Sequence, residues 1–385
     1  MKKLIRVTTV PISLDLLLKD QMKFMKKTFE VIGVSSPGEI LDRVSIDQGV
    51  PVYGIEMTRK ITPLKDLRAI WEMYRLLRNE NPDIIHSHTP KAGLVSMVAG
   101  WLAGVPIRLH TVAGLPLMEA HGLKRTILFI IEKIVYLLAT QVYPNSFGLM
   151  DYIVKERLVK ISKLKVLGDG SSNGIDLDFF YETEDIKKRK NQLYNDLSID
   201  RNATIYLFVG RLVKDKGVNE LLNTFNEISS NNKNAHLILL GEFEDALDPI
   251  SDSSKFILKK NENIYCCGFQ PDIRPYLSLA DIFVFPSYRE GFPNVVMQAC
   301  AFNLPCIVTD INGCNEIIDH NKNGLVIPPK NEPALKSTLL RFLEESSLIK
   351  SLGETNRKKI EAKYDRKKVQ TCLKDEYELK LSELV

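Results

Sequence analysis

Two short segments hold residue types that could do chemistry together. The first is Gly210-Arg211-Leu212-Val213-Lys214-Asp215-Lys216-Gly217, which follows the β-branched and aromatic run Thr204–Val209. Glycine lets a backbone approach a ligand closely. Arg211 offers a planar fork and Lys216 a point charge, a pairing suited to a diphosphate. A helix starting near Val218 would add its positive N-terminal end. Alone, these residues suit a solvated loop equally well. The second segment is Pro286-Ser287-Tyr288-Arg289-Glu290-Gly291-Phe292-Pro293-Asn294. An apolar run, 282–286, ends there in a polar turn. Pro293 suits the first turn of a following helix, whose free N–H groups would face an anion. Glu290 can accept hydrogen bonds from ligand hydroxyls, or serve only as a charge at a helix start.

Histidines and cysteines form a second class of candidates. His86 and His88 lie two apart near a strand end, so they point the same way. No third ligand stands at a suitable spacing, so no metal is expected. His88 and Lys91, with Thr89, read better as groups lining a ligand crevice. His110 fits either a ligand contact or a histidine buried within its strand. The six cysteines all fall in the second half and form no C-x-x-C pair. They read as reduced thiols rather than disulfides or a zinc site.

These residues need a scaffold, and the pattern supplies one. Strand-like runs at 4–10, 28–34, 50–55, 83–88, 107–112 and 141–144 alternate with helical patterns at 16–27, 64–79, 91–102 and 127–139. The alternation restarts with strands at 204–209, 236–240, 264–267, 282–286, 305–309 and 324–327. Helical patterns lie at 218–229, 273–278 and 295–302, and from 330 onward. Strands alternating with helices predict parallel, doubly wound sheets. The chain has 385 residues, more than one core usually serves, so two domains are expected. The densest glycine segment, 168–176, marks the junction, which continues into the charged stretch 184–190. The expected boundaries are 1–172, 173–365 and a last helix, 366–385, packing back toward the first domain. Two facing doubly wound domains would put the carboxyl ends of both sheets at one crevice.

Charge is uneven. Residues 1–175 hold 24 Lys+Arg against 16 Asp+Glu, and the remainder holds 28 against 32. A basic first half fits an anionic partner (a membrane surface, a lipid diphosphate or a nucleic acid), or simply an unevenly charged surface. The first residues are too short and too charged for a signal peptide. No apolar run reaches the roughly 18 residues needed to span a bilayer. The nearest, 127–139, reads first as a buried amphipathic helix and second as a membrane-contacting one, since Lys124 and Arg125 precede it. The first strand is not followed by G-x-G-x-x-G, which argues against a nicotinamide oxidoreductase.

Taken together, the G-R-x-x-x-x-K-G loop, the E-G-F-P turn and Thr309-Asp310-Ile311-Asn312-Gly313-Cys314-Asn315-Glu316 resemble the donor half of family-four glycosyltransferases, which have the GT-B fold. Asn173-Gly174-Ile175-Asp176 and Ser87-His88-Thr89-Pro90-Lys91-Ala92-Gly93 are also similar to that family. The nearest branch is that of bacterial capsular, O-antigen and lipid-linked polysaccharide assembly. The resemblance implies an α/β GT-B chain, two Rossmann-like domains facing across a cleft. It implies retaining transfer of a hexose or N-acetylhexosamine, most simply from a UDP-sugar, without metal or other cofactor. Arg211 and Lys216 would stabilise the leaving diphosphate, helped by the turn at Gly210, Gly291, Phe292 and Asn294. Glu290 would hold the donor sugar, and Phe269, beside Gln270, would border the nucleobase. His88, Lys91 and His110 would line the acceptor side. The implied acceptor is a polyprenyl-diphosphate-linked saccharide at the cytoplasmic membrane face, with peripheral membrane contact and no nucleic acid.

Three departures stand out. Gln298 replaces the family's second glutamate, which grips the ribose. Ala113 stands where many relatives have histidine. Val10-Pro11-Ile12-Ser13 lacks their Gly-Gly pair. A non-catalytic nucleotide-sugar-binding subunit and a nucleotide-sugar epimerase on the same fold are the alternatives. Retention of Arg211, Lys216 and Glu290 argues against the first. Turnover without acceptor would mark the second.

Overall fold

The computed structural model describes residues 1–58, 61–245 and 248–384. The chain divides into two units: Met1–Gly174 with Arg366–Val385, and Ile175–Asp365. In the first, strands β1 (Lys3–Val7), β2 (Glu30–Ser35), β3 (Val52–Gly54), β4 (Ile84–Ser87), β5 (Ile107–Val112) and β6 (Gln141–Pro144) form one sheet. Its order is β3-β2-β1-β4-β5-β6, parallel throughout. Parallel sheets are covered on both faces, so their strands are apolar without alternation. Leu4, Ile5, Val7, Ile84 and Ile85 are accordingly fully buried.

The second unit repeats this plan. Strands β7 (Thr204–Val209), β8 (Ala235–Leu240), β9 (Ile264–Cys266), β10 (Ile282–Phe285), β11 (Cys306–Thr309) and β12 (Gly324–Ile327) pair in the order β12-β11-β10-β7-β8-β9. All are parallel. Counted within its own unit, each sheet has the order 3-2-1-4-5-6 of a dinucleotide-type fold. The order reverses between β1 and β4 in one unit, and between β7 and β10 in the other.

Several elements differ from the sequence expectation. The single helix expected over 16–27 is broken into a π-helical turn at Ser13–Leu17 and a helix at Gln21–Met25. Asp20 between them is left-handed (φ 62°), and its carboxylate accepts from Arg366 at 3.0 Å. The break lets Leu14, Leu18, Met22 and Met25 all be buried. The charged stretch 184–190 is not a linker but the start of the helix Glu184–Asp196. Thr183 caps it by accepting from the Ile186 amide at 3.2 Å, and Ile186 is buried. Helices Phe147–Lys155 and Asp252–Lys260 were not anticipated, although Ser146 and Ser251 cap them in the same way. Pro293 lies one position earlier than expected, at the N-cap of the helix Asn294–Ala301.

The last helix, Arg366–Ser382, belongs to the first unit. A buried polar network holds it. Arg6, fully buried on β1, donates to the Tyr377 hydroxyl at 2.7 Å and also to Gln21. The same hydroxyl lies 2.6 Å from His86 Nδ1, and His86 Nε2 is 2.8 Å from the Thr111 hydroxyl. Burial holds His86 well below the usual histidine value, with nearby Arg6 adding to the effect. His86 is therefore neutral, with both ring nitrogens engaged. Asn173 Oδ1 accepts from Gln21 and from Gln370, each at 3.0 Å.

Helices Pro90–Ala103 and Gly122–Leu138 link β4 to β5 and β5 to β6. Right-handed crossovers put both on one face of the sheet. The second buries Glu132 beside Tyr136, and burial raises that carboxyl to about 7 from its ordinary 4.5. The folded state thus keeps a proton between pH 4.5 and 7 that the unfolded chain has lost. Stability should fall across that window and level off above it. Glu132→Gln should remove this fall, leaving the variant about 3 kcal/mol more stable than the parent at pH 8 relative to pH 4.5. Urea unfolding at the two pH values measures it.

Candidate active site

Parallel pairing of β7 with β10 sets Ile282 beside Tyr206 and Phe283 beside Leu207. The loops leaving their carboxyl ends are therefore neighbours at the reversal point, where open parallel sheets bind ligands. These loops are 210–217 and 286–293. Several contacts join them, including these. The Tyr288 amide donates to the Asp215 carbonyl at 2.9 Å. Arg289 reaches the Asp215 carboxylate at 2.9 Å. Lys216 Nζ lies 2.5 Å from Glu290 Oε1, both side chains about one-seventh exposed.

Backbone shape makes this approach possible. Gly217 has φ +69°, and a Cβ there would collide with the Pro286 carbonyl oxygen. Gly313 has φ +77° and lies against Gly291 and Phe292. Asn312, beside it, donates through Nδ2 to the carbonyls of Glu290 and Gly291. Thr309, at the end of β11, donates to the Ser287 carbonyl. The Ser287 hydroxyl, fully buried, donates to Glu290 Oε1 at 3.1 Å. The third matched segment thus braces the turn from below.

Lys216 has three donors and Glu290 Oε1 takes one of them. Its ammonium also lies 5.7 Å from the Phe285 ring centroid. Arg211, more exposed, pairs with Glu244 at 2.5 Å and lies 3.9 Å from Asp215. Among the described residues, the amides of Gly291, Phe292, Asn294 and Val295 donate to no protein acceptor. Two cations and a row of open amides at a helix start can hold an anion. Glu290 Oε2 remains able to accept from a hydroxyl.

The structure thus brings together Gly210, Arg211, Lys216, Glu290, Gly291, Phe292 and Asn294. Gln298, one turn into the helix, is half-buried and has no protein partner among the described residues. Phe269 is 62% exposed just past β9. The loop beyond β8 joins it to the site: Gly241 donates to the Gly268 carbonyl at 2.9 Å, and Leu212 to the Glu242 carbonyl at 2.8 Å. Sequence reasoning gave no role to Ser287, Asp215, Asn312 or Glu244. Asp215, Ser287 and Asn312 lie inside the quoted motifs, and that was the available signal; Glu244 lies outside them, 33 residues from its partner Arg211.

The first unit holds its own candidates at the reversal between β1 and β4. Thr9 and Thr89 hydroxyls meet at 2.7 Å, joining the two loops. His88 is buried, neither ring nitrogen has a partner among the described residues, and its ring lies 4.1 Å from that of His86. It lines a small pocket with Thr111, Asn145, Ser171 and Ser172. Lys91 pairs with Asp66 at 2.5 Å, both largely buried. His110 is buried beneath Gly93, bonded at 2.8 Å to the Ser87 hydroxyl, and burial lowers it to about 3. It is a neutral group of the interior and does not line the His88 pocket. Among the described residues no cluster of three His, Cys, Asp or Glu side chains could hold a metal ion.

Two parallel six-stranded units, one with two cations and open amides at its reversal point, give the chain the two-domain α/β fold of the GT-B class. Residues 190–359 match the family Glycosyl transferases group 1, and residues 29–170 match the Glycosyl transferase 4-like domain. A capsular polysaccharide biosynthesis glycosyltransferase of Staphylococcus aureus is 33% identical over 94% of this chain and 93% of its own. An Escherichia coli UDP-Gal:α-D-GlcNAc-diphosphoundecaprenol α-1,3-galactosyltransferase is 26% identical over 79% of this chain and 77% of its own. Among solved structures, Anabaena HepE in complex with UDP shares the fold with a TM-score of 0.81 at 16% identity, covering 98% of this chain and 99% of that one. The chain belongs to the group 1 glycosyltransferases and is a glycosyltransferase.

Gly217→Ala tests the close approach. A left-handed alanine facing a carbonyl should cost about 2 kcal/mol or more and separate Lys216 from Glu290. A lowered melting temperature with weakened donor binding is the expected result.

Proposed function

We propose that this glycosyltransferase transfers a hexose or N-acetylhexosamine, with retention, from a UDP-sugar to a polyprenyl-diphosphate-linked saccharide in surface polysaccharide synthesis. The Lys216–Glu290 pair, set among open amides, carries the reading. Lys216 and Arg211 lie on the diphosphate as the bond from the sugar anomeric carbon to its oxygen breaks. A new bond forms on the same face to the acceptor oxygen, whose proton passes to the leaving phosphate oxygen. Two fixed cations stabilise the charge that develops there, and no metal is required. Glu290 accepts from donor-sugar hydroxyls, and Phe269 borders the base. Gln298 holds the ribose through neutral hydrogen bonds.

The acceptor class is supported by the E. coli relative, named for a diphosphoundecaprenol acceptor, and by the S. aureus relative, named for capsule synthesis. A Campylobacter jejuni relative, also named for a diphospho-undecaprenol acceptor, is 26% identical over 86% of this chain. The enzyme then works at the cytoplasmic membrane face. No helix among the described residues is long and apolar enough to cross a membrane, which suits peripheral contact.

The test follows nucleoside diphosphate release in EDTA from each common UDP- and GDP-sugar, with and without lipid-linked saccharides. Release from a UDP-sugar that requires the lipid fraction and survives EDTA is expected. Release without acceptor would indicate an epimerase or hydrolase, and binding without release a non-catalytic subunit. Lys216→Ala should lower kcat by about 10²–10³-fold, the effect of losing one oxyanion donor. Near-normal turnover in that variant would overturn the role of Lys216.

A further inference from the structure

The helix Gly122–Leu138 is apolar on two opposite faces. Val135 and Tyr136 face the core, with Glu132 buried beside them. On the other side Leu123, Ile130, Ile134 and Leu137 stand exposed, Leu123 and Leu137 by about three-quarters. At roughly 100° per residue these four fall within a stripe about 60° wide, opposite Glu132. The stripe is about 21 Å long, from 14 residues at roughly 1.5 Å each. Exposed Lys124 and Lys133 border it on either side. Arg125 is paired with Glu156 at 2.7 Å, and Glu132, the helix's one acid, is buried. Every exposed charge on this helix is therefore positive. The neighbouring helix Pro90–Ala103, on the same face of the sheet, ends in exposed Trp101 and Leu102.

A soluble helix normally buries its apolar stripe and shows polar residues to water. An exposed apolar stripe between lysines has the form of a helix lying in a membrane interface. An exposed tryptophan on the neighbouring helix suits the headgroup level. We propose that this face docks the protein on an anionic lipid bilayer, with the helix in the headgroup plane. Leu123, Ile130, Ile134 and Leu137 enter the acyl boundary, and Lys124 and Lys133 meet lipid phosphates. A second copy of the chain is a poorer occupant, because a twofold contact would bring like charges together. The inference rests on the lipid-linked-acceptor reading for its purpose and on these exposed side chains for its evidence.

The test is sedimentation with vesicles of phosphatidylcholine alone and of phosphatidylcholine with phosphatidylglycerol. The full chain should bind the anionic vesicles and release in high salt. Ile130→Glu with Leu137→Glu should weaken binding by at least about tenfold, with an unchanged melting temperature, because both sites are exposed. A second measurement leaves the stripe intact. In Trp71→Phe, Trp101 is the remaining tryptophan, and brominated phosphatidylglycerol should quench it. Absence of vesicle binding, equal binding by the double variant, or an unquenched Trp101 would each overturn the proposal. So would a solution dimer of the parent that the double substitution dissolves. Transfer to a detergent-dispersed lipid-linked acceptor separates the two readings. If docking fails while that transfer proceeds, the surface is wrong and the function stands. If vesicles bind while no such transfer occurs, the function is wrong and the surface stands.

Discussion

The parallel pairing of β7 with β10 is the constraint on which the candidate site depends. These strands are more than seventy residues apart in the chain, yet adjacent in the sheet. Their pairing is enforced by burial: Tyr206, Leu207, Ile282 and Phe283 are all fully enclosed. A slip of one residue would turn each side chain to the opposite face of the sheet. Because the register is pinned, the loops after β7 and β10 leave the sheet side by side. Lys216 and Glu290 can then meet. The sheet supplies the coincidence, and the loops supply the charge.

That charge is held in a balanced way. A largely buried lysine would be costly without a partner, and so would a largely buried glutamate. Each offsets the other, while Ser287 and Asn312 fix the turn that carries the acid. The arrangement stays incomplete on one side. Among the described residues, Lys216 keeps spare donors, and the amides of Gly291, Phe292, Asn294 and Val295 lack protein acceptors. Buried polar groups usually find partners within the protein. A cluster left open at the carboxyl end of a parallel sheet is therefore the feature that invites an anionic ligand.

The first unit spends its buried polar groups differently. Arg6, Tyr377, His86 and Thr111 satisfy one another across strands and the final helix, so this network anchors the helix. His86 is consumed by the network, whereas His88, beside a pocket, has no partner for either ring nitrogen among the described residues. The helix Gly122–Leu138 carries a different imbalance, apolar on the face that meets the core and on the face that meets solvent.

Much was legible in the amino-acid sequence. Strands such as Ile107–Val112, Gln141–Pro144, Thr204–Val209 and Gly324–Ile327 stand where the apolar runs put them, because a strand buried on both faces must be apolar along its length. The basic loop and the E-G-F-P turn were visible for the same local reason: glycine, proline and charge mark short-range backbone behaviour. Three things needed the tertiary structure. The charged stretch 184–190 became a helix because Ile186 found a core to enter, which composition does not reveal. Burial set the state of His86, His110 and Glu132, since a pKa depends on neighbours distant in sequence. The partners of Lys216 and Arg211 were decided last, because β7–β10 pairing brings Glu290 to Lys216 and β7–β8 pairing brings Glu244 to Arg211 from distant parts of the chain.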